Sequence, residues 1–220
     1  PEDLVIVHPG VGWVSKTFPV EYWQKIIDDL YELGFKVGVI GKHVNDVHTI
    51  LDVKVPPNGY DFRNKLSVKG TAALLSKSRV LVTNDSSPLF IAGAFDNYIV
   101  LIPTCKHPDF VMPYRNGGIK YWRSAALYKK VMEDDDYRSA TDLKGWSTKD
   151  IPEGHTILEY LPDTDTVIDQ VIDFYDQWEK SHCSNKLKEK EDGKEFMENS
   201  RNGSNYLEPD KRGLCDAICG

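Results

Sequence analysis

The sequence predicts an α/β fold, a doubly wound and mostly parallel sheet of the Rossmann-like type, over residues 1–178. Short apolar runs rich in β-branched residues alternate with amphipathic segments, which is the pattern of parallel strands joined by crossover helices. The run at Leu4–Val7 is apolar throughout, as in a strand that is buried on both faces. Beyond residue 178 the composition shifts to Lys, Glu, Asn, Gly and Ser, which predicts a polar tail over 179–220.

The other predicted strands are apolar runs that end at polar or glycine residues. They are Lys36–Ile40, Asp52–Val55, Arg79–Thr83 and Tyr98–Ile102. Pro56–Gly59, which reads PPNG, is predicted to form a turn.

The predicted helices lie between these strands. The first has Pro19 near its first turn, apolar residues at helical spacing, and Gly34 just after its end. Further helices are predicted at Val44–Leu51, Thr71–Ser76 and Pro88–Phe95, and an amphipathic closing helix around Val167–Tyr175. Cys105–Leu161 has little periodicity and is interpreted as loops with one or two helices.

The bulk composition excludes several classes of function. A net charge of −7 argues against nucleic-acid binding through the overall field of the protein. The apolar runs are too short to cross a bilayer. Four cysteines, three of them in the last 40 residues, do not make a disulfide framework, so we expect a cytoplasmic protein.

The first candidate site is the loop between the first strand and the first helix. Gly10 and Gly12 let the backbone approach a ligand, while Ser15 and Lys16 supply a hydroxyl and a positive charge for a diphosphate. Alternatively, the glycines only turn the chain and Lys16 is solvated. The loop matches neither the Walker A nor the GxGxxG pattern, which argues against a dinucleotide cofactor and an epimerase.

The second candidate site is the run TNDSSP, where a strand leads directly into a helix. Asp85, Ser86 and Ser87 lie at the carboxyl end of that strand, where α/β sheets bind ligands. The structural alternative is that these residues cap the helix.

The third candidate site follows the second predicted strand. Gly41 lies at the corner that commonly meets a ribose or base, and the Asp46 carboxylate could accept from ribose hydroxyls; a surface turn is the alternative. The acidic run Asp134–Asp136 is interpreted as a solvated loop rather than a Mg²⁺ site. We expect no metal and no cofactor.

Two stretches of the chain resemble glycosyltransferase family 9, the heptosyltransferase-like enzymes. HPG, SKTFPVEYW and KVGVIG are similar to that family's apolar strand, (H)PG loop and Lys-x-(W/F)-Pro-x-x-x-(W/F) pattern. TAALLSKSRVLVTNDSSPLFIAGAF is similar to the stretch that leads into the family motif Asp-(S/T)-(G/S)-x-x-His-x-A-x-A. The resemblance covers about Leu4–Arg115.

The resemblance implies roles for individual residues. Lys16 falls on the family's diphosphate-binding lysine, and Asp85, Ser86 and Ser87 fall on the motif that approaches the sugar and diphosphate. Lys16 and Asp85 are therefore the residues expected to take part in catalysis.

Further positions follow from the same motifs. Gly10 and Ser15 fall on the phosphate loop, and Lys65 and Leu66 lie where the family's chain passes the nucleobase. The sequence departs from the family at Phe90, which stands where the motif has histidine.

The resemblance also implies the C-terminal half of a two-domain GT-B enzyme. Such an enzyme transfers a sugar from a nucleoside diphosphate sugar to an acceptor, with inversion and without a metal, and its general base is a carboxylate of the N-terminal half. We expect that half on the same or another chain. The alternative is a non-catalytic module that binds nucleotide sugars.

Overall fold

The computed structural model describes residues 4–10, 17–44, 50–102, 112–115, 117–121 and 161–181, and Tyr121 by its backbone alone. The chain divides into two compact units, Pro1–Glu179 and Lys180–Gly220. The sheet and the candidate site belong to the first unit. No helix within the described ranges is long and apolar enough to span a membrane.

The described strands form one parallel sheet in the order β3-β2-β1-β4-β5-β6. They are β1 (Leu4–His8), β2 (Lys36–Val39), β3 (Tyr60–Asp61), β4 (Val80–Thr83), β5 (Tyr98–Leu101) and β6 (Ile119–Tyr121). The direction of strand addition reverses between β1 and β4, and a sheet of this order binds its ligands beyond the carboxyl ends at that point. The predicted fold class is confirmed.

Helices cover both faces of the sheet. They are α1 (Val20–Glu32), α2 (Val68–Leu75), α3 (Ser87–Ala92) and α4 (residues 164–181). As predicted, α1 starts directly after Pro19, and Gly34 follows its end with a φ of +86° that favours glycine. The α4 helix begins after Asp163, whose carboxylate accepts from the Thr166 backbone N–H at 2.8 Å.

Two apolar clusters lie on opposite faces of the sheet. Val5 and Val7 of β1 join the cluster that contains α1 and α4, while Leu4 and Ile6 join the one that contains the apolar side chains of α2 and α3. The alternation follows from the pleat, which turns successive side chains to opposite faces. This burial on both faces explains why the strand is apolar throughout.

The predicted strand at Asp52–Val55 is wrong. The Gln24 side chain of α1 accepts from the Lys54 backbone N–H at 2.7 Å and donates to the Lys54 carbonyl at 3.2 Å. This segment therefore bonds to a helix side chain instead of a strand, and Tyr60–Asp61 takes the place next to β2. The turn predicted at residues 56–59 is present, with the Gly59 N–H donating to the Pro56 carbonyl at 2.8 Å.

Two other regions differ from the prediction. Ile119–Tyr121 forms the parallel edge strand β6 within a region that was interpreted as loops and helices. The helix predicted at Val44–Leu51 lies mostly outside the described residues, and its described ends at 44 and 50–51 are not helical.

The Arg79 guanidinium attaches α4 to the start of β4. Its central carbon lies 4.4 Å from the ring centroids of both Tyr175 and Trp178, and its NH1 group donates to the Glu179 carboxylate at 2.6 Å. This arrangement joins cation–π contacts to an ion pair, so α4 is held to the sheet by more than apolar burial.

Candidate functional site

The two polar loops predicted to form one site begin side by side. His8 ends β1 opposite Thr83, which ends β4. Beyond the strands, the Asn84 side-chain amide donates to the Gly10 carbonyl at 3.0 Å. The loop that starts at Gly10 and the turn after β4 thus share the crevice at the point where the strand order reverses.

Polar residues are buried at the end of β4. Thr83 is fully buried, Asn84 is 2% exposed and Asp85 is 5% exposed. Burying polar groups is costly unless they are hydrogen-bonded, so a cluster of them at a strand end is unusual in a fold that only needs a core. Such a cluster is typical of a ligand site.

Ser86 does not serve the capping role that was the alternative for this turn. It occupies the N-cap position of α3, but its side chain makes no capping hydrogen bond. Its hydroxyl instead lies 3.1 Å from Nδ1 of His8. Ser87, the first residue of α3, has an exposed side chain.

His8 was not identified from the sequence as a site residue. Its Nδ1 lies 3.2 Å from the Thr83 hydroxyl as well as close to that of Ser86. Desolvation by burial lowers the pKa of His8 to about 4, so the imidazole is neutral at physiological pH. A polar residue that ends an apolar strand beside a ligand loop was the signal available in the sequence.

Gly10 is required by close packing. A Cβ atom at this position would lie 2.6 Å from Oδ1 of Asn84 and 2.7 Å from Cε1 of His8. Gly10 also forms an isolated antiparallel bridge with Ile50. The glycine thus lets three segments meet at one point.

Ile50 also lines an open cavity of about 450 Å³ at the neighbouring strand ends. The other residues that line the cavity are Leu51, Asp52, Asp61, Arg63 and Asn64. Because Ile50 pairs with Gly10, the cavity and the crevice adjoin along the carboxyl edge of the sheet.

Arg63 is occupied by protein groups within this cavity. It donates to both carboxylate oxygens of Asp61, at 2.9 and 2.8 Å, and to the Leu51 carbonyl at 2.9 Å. These hydrogen bonds lower the pKa of Asp61 and raise that of Arg63. With Asp52 nearby, two carboxylates surround one guanidinium, so the cavity suits hydroxyl groups better than phosphate.

Three predicted residues lie around the cavity without lining it. The Gly41 carbonyl accepts from the Asn64 N–H at 2.9 Å, and Lys65 Nζ donates to the Asp61 carbonyl at 2.7 Å. Leu66 packs against the apolar cluster under α2 and α3. Asn64, with a φ of 59°, makes the sharp turn between these elements.

The remaining predicted residues lie outside the described part of the chain. They are Ser15, Lys16, Asp46 and the acidic run Asp134–Asp136. Among the described residues, no group of three or more His, Cys, Asp or Glu is arranged to hold a metal ion.

The model of glycosyltransferase family 9 (heptosyltransferase) matches residues 2–138. The chain belongs to this family. No curated protein matches the sequence. The two motifs that carried the resemblance both lie inside the matched range.

Solved structures of family 9 proteins share the fold. A glycosyl transferase family 9 protein from Veillonella parvula is 16% identical, with a TM-score of 0.57 over 80% of this chain and 47% of its own. The E. coli ADP-heptose lps heptosyltransferase II is 17% identical, with a TM-score of 0.44 over 54% and 38%. E. coli heptosyltransferase WaaC with ADP is 16% identical, with a TM-score of 0.43 over 56% and 38%. The chain thus spans less than half the length of these proteins.

Proposed function

We propose that this chain is the donor-binding domain of an inverting, metal-independent glycosyltransferase that uses a nucleoside diphosphate sugar. The observation that carries the proposal is the contact between the two polar loops, in which Asn84 donates to Gly10 and Ser86 approaches His8. Membership of glycosyltransferase family 9 supports it. A contact between these loops is what a site shared by two linked phosphoryl groups requires.

The diphosphate would occupy the crevice between the Gly10 loop and the turn at Asp85–Ser87. Lys16 would supply the positive charge, and the serine hydroxyls would donate hydrogen bonds. The ribose hydroxyls would reach the cavity next to Ile50, where Asp52 and Asp61 offer carboxylate acceptors. The two carboxylates in the cavity favour this orientation, because they would repel a phosphate.

The reaction would be a displacement at the anomeric carbon of the donor sugar. An acceptor hydroxyl loses its proton to a general base and forms the new glycosidic bond, while the bond to the diphosphate oxygen breaks. Negative charge then grows on the departing diphosphate, and preorganised donors stabilise it most. Lys16 and the Asp85–Ser87 turn would serve this step, with the base supplied by an acceptor-binding half on the same or another chain.

A binding experiment with a matched control tests the proposal. The melting temperature of the chain should rise with ADP, UDP or GDP, or with one of their sugar conjugates. For the diphosphate that binds, Lys16→Ala should weaken affinity by about 1.5–3 kcal/mol, the scale of a charge-assisted hydrogen bond. Lys77→Ala is the control, since Lys77 is exposed just before β4, at the opposite end of the strand.

The outcomes of this experiment separate the parts of the proposal. If none of the nucleotides or conjugates binds, the donor-binding role is wrong. If a diphosphate binds equally well to Lys16→Ala and to Lys77→Ala, Lys16 does not belong to the site.

A second candidate function is a non-catalytic module that binds nucleotide sugars. Phe90, at the position of the motif's histidine, is 51% exposed on α3 and supplies no titratable group. Transfer or donor hydrolysis by the chain together with an acceptor-binding half would exclude this function. Tight donor binding without either reaction would favour it.

A further inference from the structure

The described residues place one imidazole nitrogen between two hydroxyl groups. Nδ1 of His8 lies 3.2 Å from the Thr83 hydroxyl oxygen and 3.1 Å from that of Ser86. Thr83 ends β4 and Ser86 precedes α3, so the two hydroxyls bracket the turn that contains Asn84 and Asp85. The ring therefore spans both ends of this turn.

The hydroxyl protons have another acceptor close by. The Thr83 hydroxyl donates to the Asn84 carbonyl at 3.0 Å, and the Ser86 hydroxyl lies 3.4 Å from the same oxygen. If Nδ1 were an acceptor, its lone pair would face the Thr83 oxygen while the Thr83 proton points to Asn84. A proton on Nδ1 makes both hydroxyl contacts attractive.

We propose that His8 is a positioning residue whose Nδ1–H donates to the Thr83 and Ser86 hydroxyls and fixes the β4–α3 turn. Its effect on ligand binding rests on the proposed function, since Ser86 belongs to the proposed diphosphate site. Its hydrogen-bond pattern does not depend on any ligand.

The environment of the ring supports a fixed role. The space beside Cε1 is closed by Gly10, where an added Cβ would lie only 2.7 Å away. The ring is therefore packed on one side and hydrogen-bonded on the other. Burial also lowers the pKa of His8 to about 4, so one ring nitrogen carries the proton and the other does not.

The first test is the tautomer of His8 in the unliganded 220-residue chain. The nitrogen NMR shifts of the labelled imidazole, assigned by their loss in His8→Asn, should show Nδ1 protonated and Nε2 unprotonated at neutral pH. A signal for protonated Nε2 would overturn the proposed donor. A ring that averages between both tautomers would overturn the fixed role.

The second test uses substitutions that place an amide nitrogen at one ring position or the other. Asparagine puts its amide near Nδ1, whereas glutamine reaches toward Nε2. His8→Asn should keep the affinity for the diphosphate that binds, chosen from ADP, UDP and GDP. His8→Gln and His8→Ala should lose about fivefold to tenfold, the scale of a net hydrogen bond.

Val171→Ala is the control for general loss of stability. Val171 is fully buried in the core beneath α4, so its truncation should lower the melting temperature without changing affinity. Equal losses of affinity in all three His8 variants would overturn the positioning role. If wild type binds none of the three diphosphates, the proposed function fails while the tautomer still decides the role of His8.

Discussion

The side-chain amide of Asn84 donates to the backbone carbonyl of Gly10 across 3.0 Å, joining residues 74 positions apart in the sequence. Asn84 is only 2% exposed, so water does not compete strongly for this hydrogen bond. The bond connects the loop after β1 to the turn after β4 in the absence of any ligand. The site we propose is therefore held together by the protein before the donor arrives, which reduces the entropic cost of binding.

The first prediction concerns this bond. Asn84→Asp replaces the amide donor with a carboxylate that cannot donate to Gly10, so a buried carbonyl loses its partner. We expect the free energy of unfolding to fall by about 2 kcal/mol, measured by urea denaturation. Asn58→Asp, the same change in an exposed turn, should have little effect. Equal stability of the two variants would show that the bond to Gly10 contributes nothing.

The second prediction concerns Gly10 itself. Gly10→Ala introduces a methyl group within 2.7 Å of Asn84 and His8 side-chain atoms, both held by hydrogen bonds. We expect a loss of about 1–3 kcal/mol in unfolding free energy, the usual cost of overpacking. The same change at Gly70 serves as the control.

Gly70→Ala should have no cost. A Cβ at Gly70 meets its nearest atom at 3.5 Å, an ordinary contact, and the position lies in α2. Alanine in a helix is favoured over glycine by about 0.5–1 kcal/mol, so stability should stay the same or rise. A Gly10→Ala variant as stable as Gly70→Ala would mean that the loop can move away.

Much of the fold could be predicted from local signals. The strands that are buried on both faces are continuous apolar runs, and Gly34 ends α1 as glycine does after many helices. The α2 helix starts earlier than predicted, at Val68, because Ser67 caps it through a 3.1 Å bond from the Gly70 N–H. Val68 and Gly70 weaken the helical pattern, and only the cap marks the start.

The errors arose where a distant residue decides the structure. Asp52–Val55 has a β-like pattern, but Gln24, on another element, takes the Lys54 backbone bonds. Strand β6 has three residues, and it forms because β5 offers an edge. Neither partner is visible in the local sequence.

The candidate site was predicted in part. The convergence of the Gly10 loop and the Asp85–Ser87 turn follows from strand order, which the alternating pattern indicates. The role of Ser86 was left open between capping and ligand binding, and only its position beside His8 separates the two. The roles of Ser15, Lys16 and Asp46 stay predictions.

The third prediction tests the attachment of α4. Arg79→Lys keeps the charge but loses the planar guanidinium that lies against Tyr175 and Trp178. We expect the unfolding free energy to fall by about 1–2 kcal/mol. Glu179→Gln removes only the partly exposed ion pair and should cost less than about 1 kcal/mol. A larger loss in Glu179→Gln than in Arg79→Lys would show that the ion pair, not the stacking, holds α4.

The last prediction is a pH dependence of stability that originates at His8. In the folded chain the pKa is lowered from 6.5 to about 4 by desolvation. Above pH 6.5 neither state binds a proton there, so His8 has no effect on the pH dependence. Between pH 6.5 and about 4 the unfolded chain takes up a proton that the folded chain does not, and stability falls as the pH falls.

The expected size follows from the shift. Each pKa unit corresponds to about 1.4 kcal/mol, so the loss reaches about 3 kcal/mol near pH 4. Urea unfolding between about pH 8 and about pH 4.5 should show it as the difference between wild type and His8→Asn, because asparagine does not titrate. Asp61 and Asp163, whose pKa values are lowered by hydrogen bonds, contribute equally to both proteins and cancel in the difference. A difference that stays constant over this range would mean that the imidazole is solvated and titrates normally, which would contradict its packing between Gly10 and the two hydroxyls.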